Sequence, residues 1–89
     1  MIEREITIIN KLGLHARAAA KLIATTSSYS CEIRINKAGR EVDAKSIMAV
    51  MMLAASKGTE LTITTRGEDE QAAMDAVTSL IKNRFDEEE

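Results

Sequence analysis

Ile6-Thr7-Ile8-Ile9-Asn10-Lys11-Leu12-Gly13-Leu14-His15-Ala16-Arg17-Ala18-Ala19-Ala20, residues 6–20, holds the change of pattern that decides the fold. A strand-like apolar run stops at Asn10-Lys11, and an alanine-rich helical pattern starts just past His15. His15, the only histidine in the chain, is thereby placed at the mouth of a helix. The first N–H groups of a helix have no partner within it. Together with the positive end of the helix dipole they favour an anion. Arg17 adds a permanent charge with several donors suited to phosphate oxygens. Imidazole is a usable nucleophile near neutral pH. The combination suits covalent custody of a phosphoryl group. A histidine at a helix start is more often merely solvated or loosely capping, so the rest of the chain has to support that reading.

Upstream, Ile2 to Ile9 reads as a strand with Ile2, Ile6 and Ile8 on one parity and Glu3, Glu5 and Thr7 on the other. Arg4 interrupts the apolar face. Downstream, Ala16 to about Ser27 reads as a helix, with Ala19, Leu22, Ile23 and Thr26 forming its apolar stripe. Period two returns from Tyr29 to Asn36, where Cys31, Ile33 and Ile35 face one way. Cys31 is read as a buried small hydrophobe. Asn36-Lys37-Ala38-Gly39 makes a hairpin turn into an edge strand, Arg40 to Ala44, anchored by Val42. Ser46 caps a second helix, Ile47 to about Ser56, which Gly58 ends. Its apolar residues run all the way round, and a chain this small cannot cover them all. Some are therefore expected at the surface as an adaptable docking patch. Glu60 to Arg66 is the fourth strand. A third helix opens on Glu68, Asp69 and Glu70, with Ala73, Met74, Val77, Leu80, Ile81 and Phe85 in its stripe. Asp86 to Glu89 is read as a solvated acidic tail.

The order is β-α-β-β-α-β-α. Alternating strands imply one wet face, so the expectation is α+β: a four-stranded sheet with three helices on one face. Eighty-nine residues with 45% hydrophobic content allow a single domain spanning 1–89 and no second one. Twelve basic against 14 acidic residues, net charge −2, leave no footprint for nucleic acid. Aromatics are limited to Tyr29 and Phe85, which removes base stacking as a binding mode. No run is apolar and long enough to cross a membrane, and no leader pattern is read at the N-terminus. One cysteine fits a reducing cytoplasm, and one Cys with one His cannot build a usual zinc site. No metal or cofactor is expected.

Leu12-Gly13-Leu14-His15-Ala16-Arg17 resembles the phosphorylation motif of the histidine-containing phosphocarrier (HPr) family of the phosphoenolpyruvate-dependent phosphotransferase system. Lys45-Ser46-Ile47-Met48-Ala49-Val50-Met51 and Lys57-Gly58-Thr59 resemble two further family segments in register, so the resemblance covers essentially the whole chain. It implies an open-faced β-sandwich with antiparallel strand order 1-4-2-3. It also implies a cytoplasmic, monomeric carrier that forms a phosphohistidine without being an enzyme. Phospho-enzyme I would donate to His15, in this family at Nδ1, and an enzyme IIA-type protein would accept. Arg17 and the backbone N–H groups of Ala16 and Arg17 would stabilise the moving group. Ala16, Ala20, Ile47, Met48 and Met51 would form the docking face. Ser46 would be a regulatory phosphorylation site for an HPr kinase/phosphorylase. Ala18 departs from the family's usual proline, which leaves sugar import and a regulatory relay both open. Ala49 and Ala54 stand where relatives carry glycine, and both are expected to favour helix. A competing expectation is a non-phosphorylated interaction module that docks through the Ile47–Met51 helix and has no need of His15.

Overall fold

The computed structural model describes residues 1–89. Its elements follow in the expected order: β1 (Ile2–Thr7), α1 (Ala16–Thr26), β2 (Glu32–Lys37), β3 (Arg40–Asp43), α2 (Ile47–Met52), β4 (Glu60–Arg66) and α3 (Glu70–Lys82). A 3-10 turn at Arg84–Asp86 follows α3. The four strands form one antiparallel sheet in the order β1-β4-β2-β3. This is the open-faced α+β sandwich, with three helices on one face, that the alternation and the resemblance imply.

Register explains why one face is dry. Ile33 and Ile35 of β2 lie opposite Thr65 and Ile63 of β4, and Ile6 of β1 lies opposite Leu61. Ile33, Ile35, Leu61 and Ile63 are almost wholly buried and join Leu22, Val50, Met74, Val77 and Ile81 of the helices in one core. The alternate residues Glu3, Glu5, Glu32 and Glu41 stay in water, as period two requires. Buried hydroxyls in this core are satisfied: Thr26 Oγ1 donates to Ala44 O at 2.9 Å, and Thr65 Oγ1 to Glu70 O at 3.0 Å. Arg4, the break in β1, leans on Asp75 of α3 at 3.9 Å on the exposed rim.

The segment ahead of β2 is fastened by Asp69. Its carboxylate accepts from Ser30 N at 2.8 Å and Cys31 N at 2.9 Å, instead of capping α3 with its side chain. These bonds, first that from Ser30 and then those from Cys31, hold the Asp69 carboxyl down at about 2. A depressed folded value favours the folded state above about pH 4 and loses that effect as pH falls toward 2.

Two helices end earlier than the sequence predicts. α2 covers Ile47–Met52, not residues 47–56, and Ala54 rather than Gly58 ends it, at φ +51°. Lys37 Nζ donates to Leu53 O at 2.8 Å and closes the last turn. Glycine adopts this left-handed conformation freely, and alanine does not. The alanine here therefore strains the helix end, contrary to the helix-favouring effect expected of it. Ala54→Gly should stabilise the protein by roughly 0.5–1 kcal/mol, read as a raised midpoint in chemical denaturation. A lowered midpoint would show that Ala54 is not strained.

The third helix stops at Lys82. Phe85 does not extend its stripe. Arg84, Phe85 and Asp86 all take positive φ, and the kink swings the ring of Phe85 into the core, fully buried. The tail beyond it is thereby aimed back across the molecule: Asp86, Glu88 and Glu89 stay exposed, as expected of a solvated end, and Glu87 alone is drawn partly out of solvent.

Candidate functional site

Gly13 sets the loop that presents His15. At φ +67° it packs so closely that a Cβ would lie 2.6 Å from Ala55 O and 2.8 Å from Ser56 Cα. Leu14 N donates to Ala55 O at 2.8 Å and seals the same approach. Asn10, fully buried, clamps the loop from the other side by donating Nδ2 to Gly13 O at 2.7 Å. His15 then occupies the N-cap of α1 in extended conformation, with φ −75° and ψ 177°, and its side chain makes no capping bond. The first-turn N–H groups are left without a side-chain cap. The imidazole is part-exposed, and its Nδ1 has no hydrogen-bond partner.

Arg17 is exposed and pairs with no carboxylate. It lines an open cleft of about 630 Å³ with His15, Lys11 and Leu12. Ala16 and Ala20 are exposed on α1. On α2, Ile47, Met48 and Met51 are 39%, 70% and 41% exposed, while Val50 is buried. The apolar wrap of the second helix thus divides into two core residues, Val50 and Leu53, and an exposed patch, and α1 packs beside it. Ser46 is the N-cap of α2, and its Oγ accepts from Ala49 N at 3.3 Å. The docking residues anticipated from the sequence therefore lie on adjacent helices. Leu12 and Met52, 67% and 60% exposed, add apolar surface beyond the anticipated docking residues.

Three tail residues, Glu87, Glu88 and Glu89, reach the site without any sequence signal that placed them there. The Glu87 carboxylate meets His15 Nε2 and accepts from Asn10 Nδ2 at 3.0 Å. The Asn10 amide, and next the imidazole, hold the Glu87 carboxyl below the usual carboxylate range against the opposing effect of burial. Lys11 N donates to Glu89 O, and the two side chains pair at 3.4 Å. Lys21 of α1 donates from Nζ to Phe85 O at 2.7 Å. The acidic tail therefore forms one wall of the cleft.

Fold and site together define a class: small open-faced α+β proteins that carry one accessible imidazole at a helix mouth. Residues 2–83 match the family model described as PTS HPr component phosphorylation site. A phosphocarrier protein HPr of Pseudomonas aeruginosa is 59% identical over 86 residues, covering 96% of each chain. One of Cupriavidus necator is 56% identical over the full length of both. The crystal structure of HPr-C-His from Thermoanaerobacter tengcongensis superposes with a TM-score of 0.97 at 43% identity, with both chains fully covered. The chain belongs to the HPr family of phosphocarriers of the phosphotransferase system.

Proposed function

We propose that His15 takes a phosphoryl group from enzyme I, itself charged by phosphoenolpyruvate, and passes it to an enzyme IIA-type acceptor. The observation that carries this reading is the unbonded Nδ1 of a part-exposed imidazole, set at the uncapped start of α1 beside the free guanidinium of Arg17. Nδ1 supplies the lone pair. Arg17 and the N–H groups of Ala16 and Arg17 meet charge on the transferring oxygens. The phosphohistidine is an intermediate held between partners, so the protein acts as a carrier and not as an enzyme. No metal or cofactor enters the scheme. The cytoplasm is the compartment that suits such a monomeric relay protein, and no helix of the structure is long and apolar enough to cross a membrane. The test is incubation with enzyme I and labelled phosphoenolpyruvate. Stoichiometric label on His15 is expected, and an unlabelled protein would refute the carrier role.

Ala16, Ala20, Ile47, Met48 and Met51 form the proposed docking face, supported by their exposure on adjacent helices. The same exposure suits an interaction module, but such a module would work equally well without His15.

Ser46 is the proposed regulatory site for an HPr kinase/phosphorylase. A phosphate there adds roughly −1.5 to −2 charges at pH 7 beside the apolar patch. Desolvating that charge in a partner interface is costly, while the helix start tolerates it. Ser46→Asp should keep a capping oxygen, leave stability within about 1 kcal/mol, and slow transfer from enzyme I at least about tenfold. Unchanged transfer, with the kinase leaving Ser46 unmodified, would reduce Ser46 to a cap.

A further inference from the structure

The geometry points to Glu87 as a positioning residue for phosphoryl transfer: its carboxylate holds the Nε2 proton of His15 and so presents Nδ1 as the free nucleophile. The inference rests on the carrier role of His15 proposed above, and it concerns a residue outside the phosphorylation motif.

Only one ring nitrogen has a partner. Nε2 meets the Glu87 carboxylate, and Nδ1 meets nothing. An ionised carboxylate can only accept hydrogen bonds, so the ring nitrogen facing it must carry the proton. In the neutral ring the lone pair then belongs to Nδ1. Glu87 is itself held in place. Its other oxygen accepts from the buried Asn10, whose amide also grips Gly13 of the His15 loop. One side chain thus ties the imidazole, its loop and the tail together. Phe85, buried two residues earlier, and Lys21, bonded to its carbonyl, anchor the approach of the chain. The side chains of His15 and Glu87 are 27% and 17% exposed, so the pairing is only partly screened by water.

The chemistry benefits at one step. The Nδ1 lone pair forms the N–P bond while the bond from phosphorus to the donor atom breaks, and the donor keeps that bond's electrons. The ring gains positive charge, and its Nε2 proton stays in place facing a carboxylate. A carboxylate behind a histidine in this way fixes tautomer and orientation and stabilises the charged ring. Return of the phosphoryl group to an acceptor follows the same path in reverse.

The experiment compares wild type with Glu87→Ala and Glu87→Gln by nitrogen-15 NMR of the imidazole and by steady-state phosphorylation with enzyme I. In the wild-type neutral ring the Nε2–H form should dominate, with an Nε2 proton slow enough in exchange to observe. In Glu87→Ala that proton signal should vanish into water, and the two nitrogen shifts should move toward each other. The kcat for phosphorylation should fall roughly three- to tenfold with KM within twofold. Glu87→Gln keeps one oxygen for the ring and should fall between the two. Unaltered ring shifts or an unaltered kcat in Glu87→Ala, with the wild type labelling normally, overturns the positioning role alone. A wild-type protein that takes no label overturns the carrier reading and the role of Glu87 with it.

Discussion

Replacing His15 by alanine should abolish labelling from phosphoenolpyruvate through enzyme I, to the limit of detection, in a protein that still folds. No second acceptor of similar chemistry is available, because the chain has one histidine. Cys31 is buried beneath the Asp69 clasp, and burial first, then the Asp69 carboxylate, pushes its thiol up and away from the reactive thiolate. The Ser46 hydroxyl is occupied in capping α2. The fold should survive, because His15 makes no capping bond and its ring is part-exposed. The substitution removes the imidazole's pairing with Glu87, but Glu87 remains tied to Asn10. On the wild-type protein the label should be lost in acid and retained in alkali, the behaviour of a phosphoramidate. Persistent label on His15→Ala, with unchanged circular dichroism, would remove the carrier assignment.

The site was legible in the sequence as far as its parts obey local rules. A period-two run, a glycine loop and an alanine-rich run define where a strand hands over to a helix, and the one histidine falls at that junction. The exposure of the second helix was legible too, because six apolar neighbours cannot all be buried in so small a core. The end of the chain was not. Phe85 lies at helical spacing from Ile81, so its burial was readable and its route was not. Three consecutive residues of positive φ, Arg84, Phe85 and Asp86, have no sequence signature without glycine. Once that kink is missed, Glu87 has no reason to leave solvent, and acidic residues at a terminus read as a tail. Ala54 failed for a related reason. Alanine is the best helix former, and propensity alone does not reveal that the core has already turned the chain by that residue.

Phe85→Ala should cost about 3–5 kcal/mol, the range for a fully buried phenylalanine cut to alanine. For a small domain with a total of about 5–15 kcal/mol, that is a large share. The left-handed conformation at Phe85 costs roughly 1–2 kcal/mol. Burying a ring of this size offsets it by about 1.5–3 kcal/mol, and Lys21 adds a bond to the carbonyl. Alanine keeps most of the backbone strain and loses the burial, so the kink has nothing left to hold it. The melting temperature should fall by roughly 12 °C or more. At temperatures where the variant remains folded, residues 86–89 should come free of His15 and Lys11. Limited proteolysis should then clip the tail faster than in wild type, and the imidazole nitrogen shifts should match those of Glu87→Ala. Removing Phe85 also opens a cavity against α1 and α3, so the stability loss and the tail release come from one cause. A loss below about 1 kcal/mol, with the tail still protected, would show that the ring does not anchor the tail.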